Sequence, residues 1–186
     1  MRVITGKAKG RKLVAPKSQL VRPALDKIKE AIFSILFDIT DLNVLDVFAG
    51  SGSIGIEALS RGAAHVTFID IYQPAIDTIR KNLEICGFSK QATILRSPAI
   101  NALLRLNKKN LHYDLIFVDP PYLKDLVNPT LSIISESNLL KDHAKIVVEH
   151  HPKEPILEQP NLSLVETRLY GQTCISFLEN KKPRSI

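Results

Sequence analysis

The chain has 186 residues, of which 45% are hydrophobic and 24% charged, and its net charge at pH 7 is +6. The length fits one soluble globular domain, no apolar run approaches the roughly 20 residues that cross a bilayer, and no signal-peptide core follows Met1. Two cysteines are too few for a disulfide framework. These features exclude membrane-spanning and disulfide-scaffold proteins, and we expect a cytoplasmic protein with two reduced thiols.

Positive charge is concentrated at the amino-terminal end, where residues 1–30 contain nine Lys or Arg and two acidic residues. Such a patch favours contact with a polyanion, although a solvated segment whose lysines aid solubility is the alternative. The apolar pairs Val3-Ile4 and Leu13-Val14 weaken that alternative. They predict a structured hairpin with Gly6 and Gly10 in or near its turn.

Beyond the hairpin, apolar residues at three- and four-residue spacing predict a helix over Ala24–Phe37. We treat residues 1–37 as an extension of the same unit as residues 38–186. The later elements alternate, with predicted strands at Val44–Phe48, His65–Asp70, Ala92–Arg96, Tyr113–Val118 and Lys145–Glu149 and predicted helices at Ser53–Arg61, Pro74–Cys86, Ala99–Leu106 and Leu126–Ser137. This alternation predicts an α/β fold with a mostly parallel sheet covered on both faces. Two final strands, Leu162–Leu169 and Thr173–Leu178, are joined by so short a link that they must be antiparallel.

A glycine-rich turn follows the first strand, and Gly50, Gly52 and Gly55 match the nucleotide fingerprint G-x-G-x-x-G. The fingerprint alone is compatible with NAD, FAD or S-adenosylmethionine. Asp46 favours S-adenosylmethionine, because a carboxylate here suits the ammonium of a methionine moiety and would repel a pyrophosphate. Capping of the turn is the alternative role for Asp46.

The second strand ends at Asp70, whose carboxylate is placed to accept hydrogen bonds from both hydroxyls of a ribose. Its alternative role is to cap the helix that starts near Pro74. The other predicted cofactor contacts in these two turns are Phe48, Ala49, Gly50, Ser51, Gly52 and Ile71.

The tetrapeptide Asp119-Pro120-Pro121-Tyr122 follows the fourth strand, at the sheet edge that also carries the glycine turn. An exocyclic amino nitrogen of a nucleobase is a poor nucleophile because its lone pair is delocalised into the ring. Asp119 and the Pro120 carbonyl would accept its two hydrogens, and the two prolines would fix that backbone. Tyr122 would stack on the base, which must be unpaired or flipped out of its helix. A proline-rich turn without catalytic function is the alternative.

The glycine turn followed by this tetrapeptide resembles the class I amino-methyltransferases, which include DNA adenine-N6, RNA guanine-N2 and protein glutamine-N5 enzymes. Further blocks resemble the RsmD family, which methylates N2 of one guanine in bacterial small-subunit ribosomal RNA; they are Arg2-Val3-Ile4-Thr5-Gly6, Gly10-Arg11-Lys12-Leu13, Arg22-Pro23, Asp26-Lys27-Ile28-Lys29-Glu30-Ala31-Ile32-Phe33, Asp46-Val47-Phe48-Ala49-Gly50-Ser51-Gly52 and Glu57-Ala58-Leu59-Ser60-Arg61-Gly62. The resemblance implies a Rossmann-like seven-stranded sheet with an antiparallel last strand and S-adenosylmethionine as cofactor. It also implies contact with small-subunit ribosomal RNA, free or in an assembling ribosomal particle, by a protein that we expect to be monomeric.

The resemblance also implies site residues beyond the two motifs. Substrate contacts are expected from Arg11, Lys12, Arg22 and Asp26, and contacts with the cofactor adenine from Ser97, Pro98 and Ala99. The family usually has Asp or Asn at the position of Pro98, so this contact must be absent or come from Ser97. Thr usually follows the Arg-Pro pair, whereas Ala24 stands here, so a hydroxyl contact is lost.

Three other functions compete with guanine methylation. Adenine N6 in DNA or RNA fits the tetrapeptide, but the chain is short of the recognition domain that a sequence-specific DNA enzyme needs. A nicotinamide-dependent oxidoreductase leaves the tetrapeptide unexplained, and a non-catalytic RNA-binding protein predicts a degraded site. Glu149, His150 and His151 suggest a metal, but neighbours on a strand point to opposite faces. We therefore predict a solvated loop or substrate-rim contact there.

Overall fold

The computed structural model describes residues 1–15 and 24–181. Its helices are α1 (Ala24–Leu36), α2 (Ser53–Ser60), α3 (Gln73–Cys86), α4 (Ala99–Lys108) and α5 (Val127–Glu136), with a short 3-10 turn at Ser89–Gln91. Its strands are β1 (Asn43–Val47), β2 (His65–Asp70), β3 (Ala92–Arg96), β4 (Tyr113–Val118), β5 (Leu140–His150), β6 (Leu162–Tyr170) and β7 (Thr173–Asn180). The predicted element order and types are confirmed.

The seven strands form one sheet in the order β3-β2-β1-β4-β5-β7-β6. Strands β1 to β5 are parallel, whereas β7 runs antiparallel to both β5 and β6. The strand order reverses at β1, which pairs with β2 on one side and β4 on the other. Open α/β sheets bind ligands at the carboxyl ends of the strands beside such a switch point.

Two apolar layers cover the sheet. Helices α1, α2 and α3 pack on one face together with Val3, Ala8 and Leu13 of the amino-terminal segment, and α4 and α5 pack on the other. Phe33 of α1 contacts Phe117 of β4 with ring centroids 5.8 Å apart, which fixes α1 against the sheet. The near-continuous apolar sequence of the central strands follows from burial on both faces.

The amino-terminal segment forms an irregular hairpin. Arg2 and Lys12 make an isolated antiparallel bridge. Gly6 and Gly10 lie in the connecting turn, as predicted, and both adopt positive φ. The turn packs on α2, where the Lys7 amide donates to the Ser60 carbonyl. At the open end of the hairpin, the side chain of Asn82 accepts a hydrogen bond from the Val14 backbone amide and donates to the Val14 and Ser51 carbonyls. These bonds join the segment to the glycine turn.

Most element ends lie within two residues of the predicted ones, and two of the differences have a clear physical cause. β1 ends at Val47 because Phe48 adopts φ 66°, which turns the chain away from the sheet. β5 begins at Leu140 rather than Lys145, and its pairing with β4 shifts register between Tyr113 and Leu115. No helix in the part of the chain that the structure describes is long and apolar enough to cross a membrane.

Candidate active site

Four carboxylates meet at the carboxyl edge of the sheet. Asp46 lies in β1, Asp70 ends β2, Asp119 follows β4, and Glu149 lies next to the end of β5. The start of β7 lies at the same edge because β7 is antiparallel, so Thr173 joins this group. The sheet topology therefore brings together residues that are far apart in the sequence.

The glycine turn is a tight backbone loop between β1 and α2. The Gly52 amide donates to the Ala49 carbonyl at 2.7 Å, and Gly52 adopts φ 74°, a conformation that side chains disfavour. At Gly55 a Cβ would lie 2.3 Å from Cε1 of Phe68, so only glycine lets α2 approach β2 this closely. Gly52 and Gly55 therefore allow α2 to begin directly after the glycine turn and to lie close to β2.

Asp46 is buried and accepts a 3.0 Å hydrogen bond from the Gly55 amide. Burial raises the pKa of Asp46 to about 7; the Gly55 hydrogen bond lowers the pKa and the nearby Asp70 raises it. Among the described residues no Lys or Arg forms an ion pair with Asp46. The capping role that we considered is therefore present, yet a cationic ligand group would still be favoured beside this carboxylate.

Asp70 fixes two turns at once. One carboxylate oxygen accepts from the Gly50 amide at 2.8 Å, and the other accepts from the Tyr72 amide at 2.9 Å. These bonds orient the carboxylate along the edge and leave lone pairs on both oxygens for ribose hydroxyls. Capping of α3 by Asp70 is not observed in this form, because Tyr72 occupies the cap position and no side chain caps it.

The remaining predicted cofactor contacts lie around these carboxylates. Ile71 is half exposed, Ser97 is buried with its amide donating to the Asp70 carbonyl, and Pro98 occupies the cap position of α4 before Ala99. No hydrogen bond is found for the Ser97 hydroxyl among the described residues. Their contact with a cofactor stays a prediction.

The tetrapeptide begins where β4 leaves the sheet, and the Asp119 amide donates to the Val47 carbonyl at 3.3 Å. Asp119 has an exposed surface, Pro120 is buried and Pro121 is exposed. The Asp119 carboxyl group itself is surrounded by protein atoms, and this desolvation, followed by the charges of Glu149 and Asp46, raises the pKa of Asp119 well above its ordinary value. A carboxylate of this kind is a stronger hydrogen-bond and proton acceptor than a free aspartate.

Tyr122 is held in place by its hydroxyl. The hydroxyl donates to the Glu149 carboxylate at 2.6 Å and lies 2.8 Å from the Thr173 hydroxyl, while the ring makes an edge contact with His151. Burial, followed by the hydrogen bond to Glu149, raises the pKa of Tyr122. The tyrosine ring is therefore fixed from both β5 and β7, and one part of it stays accessible.

Sequence reasoning gave Glu149 little weight and missed Thr173 entirely. The position of both at strand ends on the functional edge could have indicated them.

The prediction of a solvated loop is wrong for His150, which is buried, hydrogen-bonds the Glu154 carbonyl at 2.9 Å and lies 2.9 Å from the Ser176 hydroxyl. Within the described ranges, no group of three or more His, Cys, Asp or Glu could hold a metal. His150 instead joins β5, β7 and the following loop.

The predicted substrate contacts are only partly brought together. Arg11 and Lys12 are exposed, but the Arg11 guanidinium donates to the Ile85 carbonyl. Asp26 is half-buried in the first turn of α1, and Arg22 lies outside the described residues. Lys29, counted above with the basic patch, is buried and bonds Ser53 and Glu57, so its charge is withdrawn from the surface.

Both cysteines are buried free thiols, as expected. A cavity of about 230 Å³ opens elsewhere, at the amino-terminal edge of the sheet, and is lined by residues that include His65, Arg105 and Tyr113. It lies at the opposite end of the strands from the four carboxylates. The cavity is therefore separate from the candidate active site.

Comparison with known proteins agrees with this architecture. A family model described as "Conserved hypothetical protein 95" matches residues 1–179. The chain belongs to this family. A relative of the chain is "Putative rRNA methyltransferase YlbH" of Bacillus subtilis, which is 39% identical over 97% of the chain and 100% of the relative. "Ribosomal RNA small subunit methyltransferase D" of Haemophilus influenzae is 34% identical over 97% of the chain and 94% of the relative. The resemblance to the RsmD family is thereby confirmed.

Solved structures share the same fold. "Putative methyltransferase yhhF from Escherichia coli" has a TM-score of 0.86 and 32% identity, covering 97% of this family member and 98% of that protein. A more distant structure, described as a putative methyltransferase complexed with SAH, has a TM-score of 0.67 and 12% identity over 86% of this chain and 50% of the other. The second likeness concerns the fold alone.

Proposed function

We propose that the chain is an S-adenosylmethionine-dependent methyltransferase that modifies N2 of a guanine in small-subunit ribosomal RNA. The observation that carries this proposal is the position of Asp119 and Tyr122, which lie beside Glu149 at the same sheet edge as Asp46 and the glycine turn. Relatives of 34–39% identity, whose names describe ribosomal RNA methyltransferases, support methylation of ribosomal RNA and do not name the base.

The residues present fit S-adenosylmethionine. The open backbone from Phe48 to Gly52 would accommodate the ligand, with Asp46 toward its ammonium and Asp70 toward its ribose. The Asp46 carboxylate is buried and has no Lys or Arg paired with it in the described chain, so it could bind the ammonium group of S-adenosylmethionine. A dinucleotide has no ammonium group to bind there. When bound, S-adenosylmethionine supplies an electrophilic methyl group.

The chain's own residues activate the amino group. The Asp119 carboxylate accepts one N–H and the Pro120 carbonyl accepts the other, which draws the nitrogen lone pair out of conjugation with the base. As the new N–C bond forms, the bond between the methyl carbon and the sulfonium sulfur would break and leave a neutral thioether, and the nitrogen would lose one proton. The raised pKa of Asp119 suits its carboxylate to accept that proton. Tyr122, fixed by Glu149 and Thr173, supplies an aromatic surface for the base.

The choice of guanine comes from the family resemblance rather than from the tetrapeptide. Any flipped exocyclic amine could satisfy Asp119 and the Pro120 carbonyl, so methylation of adenine N6 is the second candidate. The RsmD-like blocks within residues 1–33 favour guanine, and the exposed basic residues there favour RNA as the substrate. The expected product is N2-methylguanine.

Mass spectrometry of nucleosides tests both levels of the proposal. Small-subunit ribosomal RNA lacking the modification, treated with the protein and S-adenosylmethionine, should yield N2-methylguanosine after digestion. Asp119→Ala removes one acceptor and should lower kcat by about 100- to 1,000-fold while the calorimetric Kd for S-adenosylmethionine stays unchanged.

Asp77→Ala serves as the control, because it removes an exposed aspartate of α3 and should retain full activity. N6-methyladenosine as the product would replace guanine with the second candidate. Full turnover by Asp119→Ala would refute the acceptor role.

A further inference from the structure

We infer that Glu154 is a positioning residue that fixes the loop carrying Tyr122 in its catalytic conformation. The inference rests on the proposed function and adds to it a residue outside the predicted contacts with the base and the cofactor. Glu154 lies in the loop between β5 and β6, and its side chain is buried. We refer to residues 119–126 as the catalytic loop.

Both oxygens of Glu154 bind the backbone of the catalytic loop. Oε2 accepts from the Leu123 amide at 2.6 Å, and Oε1 accepts from the Asp125 amide at 3.1 Å. In the described chain no Lys or Arg forms an ion pair with Glu154. A buried carboxylate without a cation is stable only when hydrogen bonds replace its lost hydration, and these two amides supply them.

The bound segment has a conformation that it would not adopt readily by itself. Leu123 and Asp125 adopt φ 57° and 53°, in the left-handed region that residues other than glycine disfavour. The exposed Leu123 side chain has little apolar contact to compensate for this. The two hydrogen bonds to Glu154 therefore stabilise this loop conformation. Because Leu123 directly follows Tyr122, they also fix the backbone that carries the tyrosine.

Glu154 is itself held from two sides. Its amide donates to the His151 carbonyl at 2.8 Å, and its carbonyl bonds Nδ1 of the buried His150. Just beyond it, Asn128 of α5 bonds the Pro155 carbonyl and the Leu157 amide. These hydrogen bonds fix the Glu154 carboxylate relative to β5 and α5. The catalytic loop is therefore held at a fixed position relative to the same two elements.

This arrangement gives Tyr122 two independent restraints. Its hydroxyl is fixed by Glu149 and Thr173, and its backbone is fixed through Leu123 by Glu154. Loss of the second restraint would let the Asp119 carboxylate and the Tyr122 ring drift relative to each other. A displacement of about 1 Å in a catalytic group can lower the rate by roughly 100-fold.

Glu154→Gln tests the inference, because the amide keeps the size of the side chain and replaces one acceptor with a donor that opposes a loop amide. Hydrogen exchange of the ligand-free protein should be at least about 10-fold faster at the Leu123 and Asp125 amides. In RNA methylation, kcat should fall by roughly 10- to 100-fold, while KM for RNA and Kd for S-adenosylmethionine stay within twofold of wild type.

The matched control is Glu158→Gln, which changes an exposed glutamate of the same loop and should alter none of these quantities. If Glu154→Gln does not fold, Glu154→Asp, which shortens the reach of the carboxylate, is measured in the same way. Unchanged exchange at Leu123 and Asp125, or an unchanged kcat in a protein whose wild type methylates RNA, would overturn the inference. Faster exchange without methylation by the wild type would retain the loop restraint and refute the proposed function instead.

Discussion

The cofactor role that we propose for Asp46 places a requirement on a single residue. A carboxylate that attracts an ammonium group must lie where no protein cation neutralises it, and burial then raises the pKa of Asp46 to about 7. The folded state therefore keeps the proton up to that pH, whereas the unfolded chain releases it near 3.8. Stability contributed by this group is present below about pH 4 and is lost as the pH rises to about 7.

Asp46→Asn removes this loss, since the amide oxygen can still accept from Gly55 and carries no charge. We expect the free energy of unfolding at pH 8 to rise by about 1–3 kcal/mol and the difference from wild type to shrink toward pH 4. Urea denaturation at both pH values measures it. Asp41→Asn, which changes an exposed aspartate, is the control. Titration calorimetry with S-adenosylmethionine should show that Asp46→Asn no longer binds it. An equal effect of Asp46→Asn at both pH values would contradict the assigned protonation.

At the same scale, residue type and position predict which residues meet at the sheet edge in some cases and not in others. Asp46, Asp70 and Asp119 were identifiable because each lies where a predicted parallel strand ends, and such ends converge. Glu154 gave no signal, because its role depends on two backbone amides that lie about 30 residues away in the sequence. Contacts of this kind arise from tertiary packing, which local patterns do not encode.

At the scale of elements, most boundaries followed from apolar periodicity because the central strands are buried on both faces. The start of β5 did not, since Lys141, Asp142 and His143 are polar and His143 adopts φ 59°. The burial of His150 was also missed, because the loop after β5 folds back over it. Irregular segments that cover a strand end cannot be recognised from alternation alone.

The amino-terminal segment depends on one buried carboxylate of α2. Glu57 accepts from the Ile4 and Thr5 amides and forms ion pairs with Lys29 and Arg61, the former nearly inaccessible to solvent. Burial lowers the pKa of Lys29, whereas Glu57 raises it, so the lysine charge relies on this partner. The segment is therefore an integral part of the packed structure.

We expect Glu57→Ala to lower the free energy of unfolding by about 3–5 kcal/mol, because it leaves two amides without their acceptor and the buried Lys29 ammonium group without its counter-ion. Chemical denaturation followed by circular dichroism measures the loss. Asp77→Asn, which breaks the exposed pair with Arg80, is the control and should change stability by less than about 0.5 kcal/mol. A similarly small effect of Glu57→Ala would show that the segment is attached by its apolar residues instead.

At the scale of the whole molecule, charge is distributed along a path that starts at the active site. The open end of the hairpin touches the glycine turn through Val14, Asn82 and Ser51, and its turn reaches Ser60 at the far end of α2. Exposed basic residues occur along this hairpin. Under the proposed function, we expect RNA with a flipped base in the site to continue over the hairpin surface.

This path makes a prediction about salt. Each phosphate contact releases counterions, so the double variant Arg11→Gln/Lys12→Gln should reduce the slope of log K against log salt for RNA binding by roughly 1.4–1.8. The control is Lys108→Gln/Lys109→Gln, which removes the same charge at the opposite edge of the sheet and should leave the slope unchanged. Fluorescence anisotropy across a salt series measures both. Equal slopes for the two double variants would mean that the hairpin acts through net charge alone, because only a direct contact distinguishes one edge of the molecule from the other.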